Sequence, residues 1–504
     1  MVRAAATSAL IALVLLACGD TGVDPNARRG KACASDADCK SLLCIRDASA
    51  KPDDLAVLPL VCDDPVVGGA KAGAECSNAN DCASGVCLLA GACARPCADE
   101  GDCDARERCD DVYARASPMA LQSLTACVAM VDLPKDAQVD VRVDARALSG
   151  ETSDIKLDAA LPGGSTVYVF EHMNPMWPGT LLCRPPLCVQ ALRRADASRT
   201  VLFDADADYA SDDPPLNPVA RGDHLDPAVI MLPNGSADST STVGYIATLQ
   251  SENSGDLRVT RLARSKQGKR LDLNVFYVGA LDWEPVGTRG PPLLADALDV
   301  VDEIFAQADI AIGDVRQIAV PGELPMRGAA FPSGDAAQGF SVLQVRYGVY
   351  MELPFLFRLS AGAANSAINL FFVADMKQRS DDGDPEAEAG GIPGPLGMQG
   401  TGASGIAIAT NMMANEPQAL GRTLAHEIAH YLGLFHTSES NGVVLDPLDD
   451  TPECRSERGM SAEGLSVAAC KGFGADNLMF WAKTTGTVLT PQQQAVLQRA
   501  LLLR

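Results

Sequence analysis

His426-Glu427-Ile428-Ala429-His430-Tyr431-Leu432-Gly433-Leu434-Phe435-His436 is the stretch from which the rest of this chain is best read. It contains three of the chain's five histidines, at spacings of four and six. Residues four apart on a helix lie one turn above the other on the same face, so the imidazoles of His426 and His430 can reach one metal ion. Glu427 follows the first of them, on a neighbouring part of the helix surface. From there its carboxylate can take a proton from an attacking water without being a ligand itself. Gly433 permits the left-handed conformation that ends a helix sharply, after which the chain can bring up His436 as a third ligand. Three nitrogen ligands and one open position describe a catalytic Zn2+ site rather than a closed structural one. The short form HExxH arises by chance in unrelated proteins; with the glycine and the third histidine in register, the pattern is far more specific.

HExxHxxGxxH is the signature of the metzincin metalloproteases, and the chain resembles that family. Asn477-Leu478-Met479-Phe480-Trp481 is similar to the family's Met-turn, with Met479 as a packing residue beneath the ligands. His436-Thr437, the acidic loop ending Asp450-Thr451-Pro452, and Thr490-Pro491-Gln492-Gln493 resemble the pappalysin branch. The resemblance covers about the last ninety residues well and about 130 before them only by general layout. It implies an α+β zincin catalytic domain over 269–504, a peptide or protein substrate, and Glu427 as general base. It also implies Ca2+ in the loop holding Asp446, Asp449 and Asp450. One residue departs from the pattern: Trp481 stands where a tyrosine is usual, and an indole can donate a hydrogen bond but cannot ligate zinc.

Upstream of the motif, Leu271 to Val278 reads as a strand, and Leu294, Leu298, Val301 and Phe305 fall at helical spacing after Pro291-Pro292. Val315 to Val320 and Ile368 to Val373 are further strands. Gly405 to Ala409 is the last strand before the motif, and the resemblance places it at the edge of the cleft, where an extended peptide adds by backbone hydrogen bonds. The motif helix has Asn415 as its candidate N-cap, Pro417 in its first turn, and an interior face of Leu420, Leu424, Ile428 and Tyr431 or Leu432.

Residues 1–18 combine Arg3, an apolar run from Ala9 to Leu16, and Leu15-Leu16-Ala17-Cys18. The run is too short to span a bilayer and reads as an export signal, and its end resembles the lipobox of bacterial lipoproteins. With Cys18 lipidated, sixteen of the seventeen cysteines remain and all can pair. The protein is then expected in the bacterial cell envelope, held to a membrane surface by its acyl chains; the alternative is an ordinary signal peptide whose cleavage site happens to precede a cysteine, and a secreted protein.

Residues 33–127 carry twelve cysteines in a repeating C-x5-C-x4/5-C pattern: Cys33, Cys39, Cys44; Cys76, Cys82, Cys87; and Cys97, Cys103, Cys109. Cys62, Cys93 and Cys127 complete the three sets. In an exported segment poor in aromatic residues this implies small disulfide-stapled modules, with three pairings open in each. A cysteine-zinc cluster is the rival reading. A stalk, a binding surface and part of a latency device are equally open as roles.

From 130 to 265 the texture is one of short alternating segments, such as Ala137 to Val143 and Ser165 to Phe170, with turns at Pro162-Gly163-Gly164 and Asn234-Gly235. A β-sandwich-like accessory domain is expected. Cys183 and Cys188 are placed to close a local loop, and Cys454 and Cys470 to tie the segment ahead of Met479. Asp204, Asp206 and Asp208, and likewise Asp381, Asp382 and Asp384, read as solvated acidic loops. The chain as a whole is therefore expected to be multidomain.

A net charge of −24 argues against nucleic acid as a partner. The reading from another class is a surface binding or adhesion protein that keeps a zinc-bearing fold with little or no catalysis. The large share of the chain spent on cysteine modules and a β-domain favours it. The intact Glu427 does not, since a non-catalytic site has no chemical need of that carboxylate.

Overall fold

The twelve cysteines of the N-terminal region pair first with third and second with fourth in every module: Cys33–Cys44 and Cys39–Cys62, Cys76–Cys87 and Cys82–Cys93, Cys97–Cys109 and Cys103–Cys127. Sulfurs joined this way are not thiolates, so the cysteine-zinc alternative is not what these residues build. An aspartate immediately before the second cysteine shapes each module. One oxygen of Asp38 accepts the main-chain N–H groups of Ala34 and Ser35 at 2.7 and 3.0 Å. Asp81 does the same for Ser77 and Asn78 at 2.7 and 3.0 Å, and Asp102 for Ala98 and Asp99 at 2.7 and 3.4 Å. Those two N–H bonds hold the Asp81 carboxyl below its ordinary range.

The structure is a computed structural model that describes residues 29, 31–39, 43–47, 60–104, 106–117, 120–129, 133–147, 152–172, 187–204, 220–222, 227–232, 243–251, 255–265, 268–278, 283–320, 342–346, 352–363, 366–378, 386–411, 416–456, 465–482 and 485–504. It is multidomain and sheet-rich, with a disulfide-rich N-terminal region and few helices. Cys18, Cys183, Asn234-Gly235, the acidic run at 381–384 and most of the one at 204–208 lie outside the described residues, as does the side chain of Cys188. No helix among the described residues is long and apolar enough to cross a membrane.

Alternation in the middle of the chain produces two antiparallel sheets. One has four strands, with Tyr245–Ser251 pairing Thr152–Leu157 and Leu187–Arg194; the other has five, centred on Ser165–His172 and Gly255–Arg264. Their inner faces share one core that includes Ile155, Tyr168, Phe170, Leu192, Ile230, Tyr245 and Val259. Two antiparallel sheets with an apolar layer between them form a sandwich. Pro162-Gly163 turns into the Ser165 strand with Gly163 at φ +69°, as a tight turn requires.

The C-terminal region is organised around a second five-stranded sheet. Its strands are β1 (Arg270–Val278), β2 (Ala311–Val320), β3 (Ala367–Val373), β4 (Ala387–Ala389) and β5 (Ile406–Ala409), in the spatial order β2-β1-β3-β5-β4. The first four in that order run parallel and β4 is antiparallel to β5. This corrects the expectation for Gly405 to Ala409: β5 is flanked on both sides, and the edge strand on that side of the sheet is β4. Between β1 and β2 runs α1 (Pro292–Phe305), and β5 leads into α2 (Pro417–Tyr431). The N-cap of α2 is Glu416, with Pro417 at the first helical position; the expected cap, Asn415, falls outside the described residues. The two helices approach closely at Gly421, where a Cβ would lie 2.5 Å from Val300 Cβ and 2.6 Å from the Ala297 carbonyl oxygen.

Because a strand alternates its side chains, the sheet has two apolar faces. Leu271, Leu273, Val275, Leu370, Phe372, Ile406 and Ile408 point towards the buried face of α1 (Leu294, Leu298, Val301) and that of α2 (Leu420, Leu424, Ile428). Phe276, Val278, Phe371, Val373 and Ala407 point the other way, and part of their cover comes from the second cysteine module, through Leu89 and Ala90. Both are at most 2% exposed. A Cβ on Gly362 would meet Leu88 Cδ1 at 2.7 Å. The module is therefore part of this domain's core and not a free stalk. The outer face of the sandwich joins the helix-side core through Val167, Val229 and Leu262, and Arg264 there donates to the carbonyl oxygens of Leu501, at 3.3 Å, and Leu503.

Candidate metal centre

α2 carries His426 and His430 on successive turns, its apolar face being fixed by Leu420, Leu424, Ile428 and Tyr431 in the core. Gly433, at φ +111°, ends the helical path, a conformation that a β-carbon would strain, and three residues later His436 has turned back to the other two. The ring Nε2 of His436 lies 3.2 Å from Nε2 of His426 and 3.1 Å from Nε2 of His430. These three histidines form one of the groups of ligand atoms that converge closely enough to hold an ion.

The other ring nitrogen of each histidine shows which way its lone pair faces. His426 Nδ1 lies 2.8 Å from the Leu478 carbonyl oxygen, His430 Nδ1 2.6 Å from that of Leu434, and His436 Nδ1 2.9 Å from Glu439 Oε1. An oxygen acceptor at Nδ1 requires a proton there, which leaves Nε2 a bare lone pair in the neutral ring. Burial, reinforced by the charge His436 would carry, pushes His426 down to about 3 and, with both neighbouring imidazoles, His430 well below its ordinary value. Nε2 lone pairs that converge in this way repel one another unless a cation sits between them. Tetrahedral zinc with Zn–N bonds of about 2.0–2.1 Å separates its nitrogen ligands by about 3.3 Å, so the residues present fit that ion.

The turn at 477–481 supports this group from below. Leu478 supplies the carbonyl for His426, and the Met479 carbonyl accepts the N–H of Thr437 at 2.9 Å, the residue after the third histidine. Met479 is fully buried. Asn477 and Gln493 exchange two amide hydrogen bonds, at 2.8 and 3.1 Å, fastening the turn to the last helix, α3 (Pro491–Gln498). Trp481 lies against Phe480 with ring centres 3.9 Å apart and the ring planes tilted by 36°, in a cluster that contains the Cys454–Cys470 disulfide. Glu427 is half-buried on α2 and is not a member of the converging ligand group.

Asp446, Asp449 and Asp450 are not gathered into one ligand set among the described residues. Asp450 instead anchors the start of α3, accepting from Thr490 Oγ1 at 2.7 Å and from the Gln492 N–H at 2.9 Å. The main-chain N–H of Asp449 bonds Gln492 Oε1 at 3.1 Å. Asp446 is 1% exposed; its Oδ1 accepts from Thr451 Oγ1 at 2.6 Å, and its Oδ2 has no hydrogen-bond partner among the described residues. Burial is the main cause that pushes this carboxyl up to about 8, against the lowering effect of the Thr451 and Leu448 bonds.

That shift has a defined sign for stability. An unfolded Asp446 loses its proton near pH 4, whereas the folded one holds it to about pH 8, so between those values the folded state binds more protons and stability falls as pH rises. The buried histidines contribute the opposite sign below about pH 6.5, so the window that isolates Asp446 lies above it: from pH 7 to 8.5 the thermal midpoint of the wild type is expected to fall clearly more than that of Asp446→Asn. Equal differences in the two proteins would mean that Asp446 is not the group responsible.

No protein-family model matches this chain, and no curated protein matches its sequence.

Proposed function

We propose that this chain is a zinc-dependent endopeptidase of the metzincin type, pappalysin-like in its C-terminal region, exported and anchored to the bacterial envelope through a lipid on Cys18. The observation that carries the proposal is the convergence of His426, His430 and His436 through their Nε2 atoms, each ring oriented by a partner on its other nitrogen. A ligand set of three imidazoles, with Glu427 beside it and outside it, is the donor chemistry of a hydrolytic zinc site. When bound, zinc would polarise a scissile carbonyl and lower the pKa of a water to about 7.

The remaining chemistry falls to the chain's own groups. Glu427 takes a proton from the attacking water as oxygen bonds to the carbonyl carbon, and then delivers that proton to the amine that departs when the C–N bond breaks. β4 packs against α2 at the rim of the sheet, so an extended peptide pairing with the outer side of Ala387–Ala389 would run past the histidines.

Purified full-length protein is expected to contain stoichiometric zinc by elemental analysis. It is also expected to cut a proteome-derived peptide library, with the cuts disappearing under a zinc chelator and returning with added zinc. Protein that binds zinc but produces no chelator-sensitive cuts would favour the surface binding protein over the protease.

A further inference from the structure

Two of the three histidines are oriented by main-chain carbonyls. Leu434 lies in the turn that ends α2 and Leu478 in the turn beneath it, and both are at most 4% exposed, so neither oxygen can move without its backbone. His436 differs. It stands beyond Gly433, outside the helix, and its Nδ1 is met by a side chain, the carboxylate of Glu439 at 2.9 Å. Of the three histidines it is therefore the one whose ring direction its own backbone constrains least.

Glu439 is held in a tight reversal of the chain. Ser438 bridges Leu445, the N–H of Glu439 donates to the Val444 oxygen at 2.9 Å, and the N–H of Gly442 donates back to the Glu439 oxygen at 2.8 Å. Asn441 Oδ1 accepts from the N–H groups of Val443 and Val444 at 2.9 and 3.2 Å, and Gly442 supplies φ +63°. The backbone that presents the carboxylate is thus fixed independently of any ion, while the side chain itself remains 44% exposed. Its position opposite Nδ1 keeps it off the face where the Nε2 atoms meet.

We propose that Glu439 is the positioning residue of this centre: by accepting the Nδ1 proton of His436 it turns the loop histidine's lone pair onto the metal and sets how tightly the metal is held. The proposal rests on the zinc reading of the three histidines. Its physical basis is that a hydrogen bond to an ionised acceptor is about twice as strong as one to a neutral carbonyl, and that a carboxylate behind a histidine raises its basicity as a ligand. Glu439 is then the adjustable element of the site, the other two acceptors being parts of the main chain.

The test is zinc affinity of the full chain, measured by competition with a chromophoric chelator, for the wild type, Glu439→Gln and Glu439→Ala. Glu439→Ala is expected to weaken zinc binding by about 10–100-fold. Glu439→Gln keeps an acceptor oxygen but no charge and is expected to fall between the two. A role confined to the loop's structure would lower the unfolding midpoint of the metal-free protein. The expected result is that metal-free midpoints agree in all three proteins while the rise caused by added zinc shrinks in the order wild type, Gln, Ala. Wild-type protein that binds no zinc would overturn the zinc reading itself. Wild-type protein that binds zinc, with Glu439→Ala binding it equally well, would overturn the role of Glu439 and leave that reading standing. Equal losses in metal-free stability and in zinc affinity would likewise assign Glu439 to the loop alone.

Discussion

Glu427→Gln is expected to lower peptide hydrolysis by about 10²–10⁴-fold, the usual contribution of a positioned general base, while zinc content stays at the wild-type level. The two halves of this expectation have separate origins. Zinc content should persist because the ligand group consists of the three histidines alone, with Glu427 one residue along the helix from His426 and outside that group. Hydrolysis should fall because glutamine has nearly the shape of glutamate but cannot hold the proton that, in the proposed mechanism, passes from water to the leaving amine. A proteome-derived peptide library, read by mass spectrometry on preparations matched for zinc, measures both. Retained cleavage would remove Glu427 from the mechanism. Lost zinc would make it a ligand or a fold determinant instead.

What was legible in the chain beforehand divides by sequence separation. The histidine spacing, the Gly433 turn and the buried face of α2 are local periodicities, and the structure shows each of them where the pattern places it. The partners of the histidines are not local. Leu478 arrives from 52 residues beyond His426, and Glu439 sits in a polar loop whose composition is that of any solvated turn. The edge strand beside β5 carries no strand signal, since Ala387-Glu388-Ala389 offers no β-branched or aromatic residue, whereas Ile406-Ala407-Ile408-Ala409 alternates isoleucine with alanine and is interior. In the cysteine modules the spacing was plain and the pairing was not, since four cysteines admit three connectivities whatever their spacing. One signal for the module fold is legible in the chain: Asp38, Asp81 and Asp102 each precede the second cysteine of a module, and each binds the main-chain N–H groups at the same two relative positions. Another is Leu88-Leu89-Ala90, an apolar run that divides its burial: Leu88 enters a cluster shared by the second and third modules, and Leu89 and Ala90 lie against the sheet.

Arg108→Met is expected to destabilise the whole chain by about 3–5 kcal/mol, the cost of removing one partner from a buried charge network. Arg108 belongs to the third cysteine module yet is only 5% exposed. Its Nε donates to Asp110 at 3.1 Å, its Nη2 donates to the Gln399 carbonyl oxygen, and its Nη1 lies 3.6 Å from Glu171. Arg358 donates to the other oxygen of Asp110 at 3.1 Å, and Arg258 donates to Glu100 at 2.8 Å while facing Glu171 at 4.0 Å. Three arginines and three carboxylates thus meet where the third cysteine module, the sandwich and the C-terminal domain join. Methionine keeps much of the side chain's bulk but removes one positive charge, so Glu171 and Asp110 are each left with one arginine instead of two. If the penalty arises from uncompensated charge, Arg108→Met combined with Glu171→Gln should recover part of the loss, which a double-mutant cycle on equilibrium denaturation would measure as a coupling. Independent units on flexible connections predict a different result: Arg108→Met within about 0.5 kcal/mol of wild type, as for an ordinary surface substitution, and no coupling to Glu171. The packing argues against that outcome: the third module shares an apolar cluster with the second through Val112, Leu124 and Leu88, and the second buries Leu89 and Ala90 against the C-terminal sheet, so the charges of the third module sit in one continuous packed structure.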